Sequence, residues 1–484
     1  MAKFSYDLIA LGEKCDEAIN SCEIERIELC IQKLEFTPLD ELEQAVKYYY
    51  LGNLYAKKSC LQKESTCIGD NNTPDNLIIA IKHYRESHKL AINNKHLLIY
   101  EIQANLAICL KRLERQIEAL PLWIIDFSTK EGDSSFAGSL SKANTLRFLS
   151  DYLSDAGYKY HYKFAAFEIL EKLQDNIGNT THEGIKNELN SKYNIEFIKQ
   201  WRSEKKKGNE ACNMSYQAKS TSKAKNGYHE WCAARCLFLN SLNDITKLPI
   251  VARDTLQFPN HRTKSYMPYL SAAFSALKRE YAFARYLVYE GIHNKNCPKY
   301  ESEELYLTYL YDGTCYDTAS EKIKTAFRIL FSIFDKLAGL MIQYFPKNNE
   351  ACTIGRVEFK PKFIKKHFSK LKNPFITSLY WLAYDFCDEK ENTLNPDANQ
   401  LRKLRNNLEH NWVRVIEYSE DSERNIPAED YAHKITKLEL QELILKVSGL
   451  ARSSLMYFTF AVKYNEERQE QTEPALLMET PLWK

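Results

Sequence analysis

Glycine and proline are scarce in this chain, 15 and 14 of 484 residues, which argues against disordered, collagen-like and turn-dense all-β architectures. Its 13 cysteines are odd in number and include no CxxC pair. Reduced, mostly buried thiols in a cytoplasmic protein fit that usage. No run approaches the ~18 apolar residues that a membrane span requires. The N-terminal MAKFSYDLIA lacks the basic, apolar, small-residue order of a secretory signal. Neither charge sign dominates: 66 Lys and Arg against 64 Asp and Glu leave +2, so any affinity for nucleic acid has to be local. Walker, HExxH, GxSxG and Rossmann patterns are all missing, which leaves nucleotide-triphosphate enzymes and conventional metalloenzymes poorly supported.

Helical periodicity fills the space that those absences leave. Length alone suggests two to four domains. Ile27, Cys30, Ile31 and Leu34 form one i, i+3, i+4, i+7 stripe, and Leu42, Ala45, Val46 and Tyr49 form another. From Glu321 to Phe345 a 25-residue amphipathic helix is predicted. Its apolar stripe is Ile323, Phe327, Leu330, Phe334, Leu337 and Met341, and Pro346 closes it. The fold class is therefore all-α.

Within the first 200 residues a weak repeat resembles tetratricopeptide helices. Leu106, Ala107 and Leu110 precede Ala119 and Trp123 in that register; Tyr48, Leu51, Gly52 and Tyr55 pair with Ala80 and Tyr84 in an earlier hairpin. A third hairpin runs from Ala143 to Leu173. Small residues let two helices touch and bulky ones fill the gap to the next hairpin. An irregular helical bundle is the competing reading. The expected organisation is a tetratricopeptide-like domain over 1–200, a basic linker over 201–227, a helical middle segment over 228–317 that packs on the bundle, a C-terminal helical bundle over 318–470 and a tail over 471–484. In the linker, Arg202 to Lys225 holds seven basic and two acidic side chains, open to phosphate contact or to simple solvation. His229, Cys232 and Cys236, on a predicted helix, come nearest to a metal cluster; with no fourth ligand visible, core packing is the better reading and no metal is expected.

The chemistry concentrates in NPDANQLRKLRNNLEHNWVRVIEY. Asn395 and Pro396 suit a helix start, and Asp397 suits the positive end of its dipole. Leu401, Leu404, Leu408, Trp412 and Val415 then fall within one ~80° arc at ~100° per residue, giving a core-facing stripe. His410 lies close to 180° from Leu401, with Asn406 one turn before it on the same face. Arg405 sits about 140° round from His410. A solvated polar face and a reactive face both fit this geometry.

Arg405, followed directly by Asn406 and, after four intervening residues, by His410, resembles the R-x4–6-H motif of HEPN-domain ribonucleases. FRILFSIFDKLA, NPFITSLYWLAYDF and WCAARCLFLNSLNDI extend the likeness over roughly Tyr228 to Asn465, to a bacterial branch with tetratricopeptide-like N-terminal helices. The resemblance implies a C-terminal HEPN helical bundle and a metal-independent endoribonuclease with no cofactor, in which an RNA 2′-hydroxyl attacks the phosphodiester near a homodimer interface. His410 would move protons, as imidazoles do near neutral pH, Arg405 would hold the phosphate oxygens, and Asn406 would orient either. Asp335 matches a supporting acidic position, open to a site role or to a local ion pair. The lysine-rich Lys360–Lys372 run, with Lys362, Lys365, Lys366 and Lys370, would track RNA phosphates or simply face solvent. Family members commonly act in bacterial defence or as toxins, which implies control by a protein or nucleic-acid trigger on the helical repeat. The alternative is a non-catalytic interaction protein that uses the HEPN fold for dimerisation or RNA binding.

Overall fold

The computed structural model describes residues 6–199, 222–263, 269–293, 304–306, 314–345, 357–387, 393–417, 432–468 and 476–478, apart from 38–39, 71, 94–97, 124–131, 181–182, 194–195 and 197–198. The chain is all-α, with two small sheets among the described residues. It divides into two compact units: 1–216 with 244–246 and 369–396, and 217–243 with 247–368 and 397–484.

The first unit carries helices α1 (Tyr6–Ser21), α2 (Ile24–Phe36), α3 (Glu41–Leu61), α4 (Asp75–Asn93), α5 (Ile99–Arg112), the single turn α6 (Gln116–Ala119), α7 (Gly132–Tyr152), α8 (Ala156–Asp175) and α9 (Glu183–Lys192). Consecutive helices pack as hairpins, α3 on α4 and α7 on α8. The predicted stripe of α2 is buried throughout. In α3–α4 the small residue does what the repeat requires: a Cβ on Gly52 would lie 2.6 Å from the Tyr84 ring. The Tyr84 hydroxyl donates to Asn53 Oδ1 at 2.7 Å, and Asn105 Nδ2 donates to the same oxygen at 3.0 Å, tying α3, α4 and α5 together. The second repeat departs from expectation. Ala107, Ala119 and Trp123 are all buried, but α6 lasts four residues before Pro121 takes the chain into a 3₁₀ turn, so Trp123 is not helical.

This unit also takes in residues that the sequence assigns to the C-terminal domain. Helix α14 (Pro374–Ala383), capped by the Asn373 side chain, is almost wholly buried. Just beyond it lies Asp385, 1% exposed. Arg85 donates to both of its oxygens, at 2.6 and 3.3 Å, and the fully buried Arg115 donates to Oδ2 at 2.6 Å. Burial opposes ionisation of this carboxyl, yet the charges of Arg115 and Arg85 override it and hold the pKa down at about 2.

In the second unit are α10 (Lys223–Ala234), β1 (His261–Thr263), α11 (Tyr269–His293), α12 (Thr318–Tyr344), α13 (Pro361–Phe368), α15 (Ala398–His410), β2 (Trp412–Ile416), β3 (Ala432–Thr436), α16 (Lys437–Arg468) and β4 (Leu476–Met478). Helix α12 buries all six residues of its predicted stripe, and α11, α15 and α16 pack around it. Each such leucine or phenylalanine stabilises the unit by about 1.5–3 kcal/mol. Two buried arginines hold the loop after α10. Arg285 of α11 grips Asp254 through two bonds of 2.8 and 2.7 Å, and Arg452 of α16 donates to the carbonyls of Phe238 and Asn240 at 2.7 and 3.1 Å. Part of the tail docks: β4 pairs antiparallel with β1.

Three local expectations need correction. Cys236 lies beyond the end of α10 with φ +51°, so it does not share a helical face with the buried Cys232. Among the described residues, no group of three or more His, Cys, Asp or Glu is arranged to hold a metal ion. The helix starts two residues later than expected: Asp397, not Asn395, occupies the cap position, without a side-chain capping bond, its carboxylate pairs with Lys446, and Asn395 is buried. Of the expected basic linker, residues 201–221 lie outside the described residues, while Lys223–Gly227 begin α10, capped by Ser222. Among the described residues, no helix is long and apolar enough to cross a membrane.

Candidate active site

Helix α15 puts Leu401, Leu404 and Leu408 into the core, which fixes where its other faces point. His410 and Asn406 are exposed and Arg405 is half-buried. Sequence geometry thus places the imidazole correctly, away from the leucines. The helix stops at His410: Asn411 is extended (φ −137°, ψ −167°), and the chain enters β2. The predicted stripe therefore ends at Leu408. Val415 is buried from a strand, and Trp412 is 72% exposed. β-branched Val413, Val415 and Ile416 favour the strand, and the helical spacing of Trp412 and Val415 with the leucines is coincidental.

Helix α12 positions α15 from one side. Arg328, Phe331 and Asp335 recur at i, i+3 and i+7 and so share a face. Arg328 donates through Nε and Nη2 to the Leu408 carbonyl, at 3.0 and 2.6 Å, satisfying a last-turn acceptor that the helix itself leaves open. Arg405 Nη2 donates to Asp335 Oδ2 at 3.0 Å, and its guanidinium carbon lies 5.8 Å from the centre of the Phe331 ring. Asp335 Oδ1 accepts from the Phe359 amide at 2.8 Å, so one carboxylate links α12, α15 and the approach to α13. Of the two readings left open for Asp335, the local ion pair is observed, and its partner is Arg405. Both side chains are about a third exposed, 33% and 32%, so the pair contributes little to stability and mainly sets the direction of the guanidinium. Asp335 takes one of the five N–H donors of that group.

The lysine run divides. Lys362, Lys365 and Lys366 are exposed on α13, whose Pro361, Ile364 and Phe368 are buried. Lys370 is exposed too, but it follows the helix and belongs to the first unit. Beyond α15, β2 pairs in parallel with β3, matching Trp412 with Ala432, Val413 with His433, Arg414 with Lys434 and Val415 with Ile435. His433 has its pKa lowered, by burial first and by Lys403 second, which favours the neutral ring. Sequence reasoning missed both Arg328 and Trp412. The i, i+7 spacing of Arg328 and Asp335 is the signal for the first, and the β-branched run after His410 is the signal for the second.

Residues 261–465 match the model of the LA2681-like HEPN family. The chain carries a HEPN domain over this span. The match begins at β1, ends within α16 and contains Asp335, Arg405, Asn406 and His410. It also contains Asp385, whose arginine partners Arg85 and Arg115 precede the matched span. No curated protein and no solved structure gives a significant match.

Proposed function

We propose that this HEPN protein is a metal-independent endoribonuclease, regulated through its helical N-terminal half and acting in bacterial defence or as a toxin. The observation that carries the reading is one short helix that presents His410 to solvent while Asp335 aims Arg405. In the proposed reaction the 2′-oxygen forms a bond to phosphorus and the bond from phosphorus to the 5′-oxygen breaks. The products are a 2′,3′-cyclic phosphate and a 5′-hydroxyl. One imidazole can take the 2′ proton or supply one to the leaving oxygen, a role worth roughly 10²–10⁴ in rate. Arg405 balances the negative charge that gathers on the phosphate oxygens, and Asn406, exposed one turn before His410, orients either partner. Two imidazoles brought together by a two-fold dimer would serve both proton transfers.

Chain connectivity supports regulation by the N-terminal half. Residues 369–396 lead directly into α15 and belong to the N-terminal unit, where Asp385 is clamped. Incubation of the full chain with total RNA in EDTA tests the activity. His410→Ala and Arg405→Ala are expected to keep the native circular dichroism and to cut at least a hundredfold more slowly, with cyclic phosphate ends in the native reaction. Unchanged cleavage by His410→Ala would remove the assignment.

A further inference from the structure

Partnered residues of a sheet point to the same side, and successive residues point to opposite sides. In the β2–β3 pair this rule separates two faces. Val413, Val415, His433 and Ile435 form the inner one, where Val415 and Ile435 are 1% and 6% exposed. Trp412, Arg414 and Lys434 share the outer one, together with Ala432, Ile416 and Thr436. The indole is 72% exposed, Lys434 is exposed, and Arg414 is held in place by donating from Nε to Thr314 Oγ1 at 2.9 Å. The indole thus presents most of its ring to solvent on the same face as two cations.

We infer that this outer face is a nucleotide-binding subsite for single-stranded RNA. A base stacks on Trp412, and the flanking phosphates are neutralised by Arg414 and Lys434. The inference rests on the ribonuclease reading, because only two peptide bonds separate His410 from Trp412. That spacing keeps their Cα atoms within ~7 Å, so a stacked base would belong to a nucleotide next to the scissile phosphate. Charge decides between RNA and a second copy of the chain as the occupant. A two-fold contact through this face would set Arg414 and Lys434 against their own copies, a like-charge juxtaposition that interfaces avoid. Polyanionic RNA with unstacked bases complements both the cations and the ring. At the far end of the strand pair the exposed Glu417 directly follows β2, and the Glu439 carboxylate is occupied by the Thr436 amide and hydroxyl at 2.9 and 2.8 Å. The α13 lysines would contact more distant phosphates, whereas this face would register the substrate on the cleavage site.

The test uses the full chain carrying His410→Ala, so that RNA survives, and a fluorescein-labelled single-stranded RNA ten nucleotides long. Adding Trp412→Ala should weaken binding roughly tenfold, as base–aromatic contacts do, with Trp412→Phe retaining most of the affinity and Trp412→Leu behaving like alanine. Arg414→Ala with Lys434→Ala should lower the slope of log affinity against log salt by about 1.4. A 2-aminopurine base in the same RNA should be quenched on binding, and the quenching should vanish with Trp412→Ala. Equal affinity for the alanine and tryptophan proteins overturns the subsite. So does loss of binding accompanied by dissociation of an oligomer in sedimentation, which would make Trp412 a contact between copies. Neither result depends on turnover. The ribonuclease reading fails separately, if His410→Ala alone cuts as fast as the native chain.

Discussion

Asp335 Oδ2 accepts from Arg405 Nη2 at 3.0 Å, while the other oxygen of the same carboxylate holds the Phe359 amide at 2.8 Å. The arginine of the motif is thus oriented by a residue 70 positions earlier in the chain.

Replacing Asp335 with Asn separates orientation from stability. The amide oxygen can still accept from Phe359, but the charge that holds Arg405 is gone. Because the pair is a third exposed, the unfolding free energy should change by less than about 1 kcal/mol. RNA cleavage should fall roughly tenfold in kcat with a smaller change in KM, since a misdirected guanidinium loses its hold chiefly on the transition state. Urea unfolding and steady-state kinetics on one preparation decide it; unaltered kcat would reduce Asp335 to a surface ion pair.

Asp385 should behave in the opposite way. Removing a buried carboxylate that satisfies two guanidinium groups leaves the buried Arg115 with Glu118 as its remaining carboxylate, at a cost of about 3 kcal/mol, so Asp385→Ala should unfold at markedly lower urea. The pH dependence has a definite sign. The folded-state pKa is depressed to about 2, so the stabilisation is full above the unfolded carboxylate value near ~3.9 and is lost as pH falls toward 2. Urea midpoints measured from pH 5 down to 2 should fall more steeply for the native chain than for Asp385→Ala.

Gly291 marks a close approach of α11 to α12. An added Cβ would stand 2.6 Å from Ile323 Cγ1 and 2.8 Å from the Ala319 carbonyl oxygen, and the carbonyl belongs to the backbone and cannot turn aside. Gly291→Ala should therefore cost about 1–3 kcal/mol despite the better helix propensity of alanine. Thermal denaturation should show a lower midpoint; an unchanged one would mean that the two helices separate freely.

Much of this fold is legible in residue spacing. The stripes of α2 and α12 are buried as predicted, because apolar residues recurring with a 3.6-residue period line up on one face of a helix and drive that face into the core. The hairpin contact of Gly52 with Tyr84 follows from the same logic. His410 could be placed because the leucines of α15 fix the opposite face. What spacing could not supply was the change of period after Asn411, where Trp412 and Val415 continue the helical register by coincidence. Nor could it pair Asp385 with Arg85 and Arg115, since contacts 300 and 270 residues apart in sequence leave no local pattern.

That last pairing changes what counts as a separable piece of this protein. A chimaera that grafted residues 261–465 onto a foreign N-terminal half would inherit the Asp385 carboxylate and leave both of its cations behind. Arg85 and Arg115 therefore travel with the HEPN domain as surely as if they were encoded inside it, and a transplant that keeps Arg405 and His410 intact still has to carry them along.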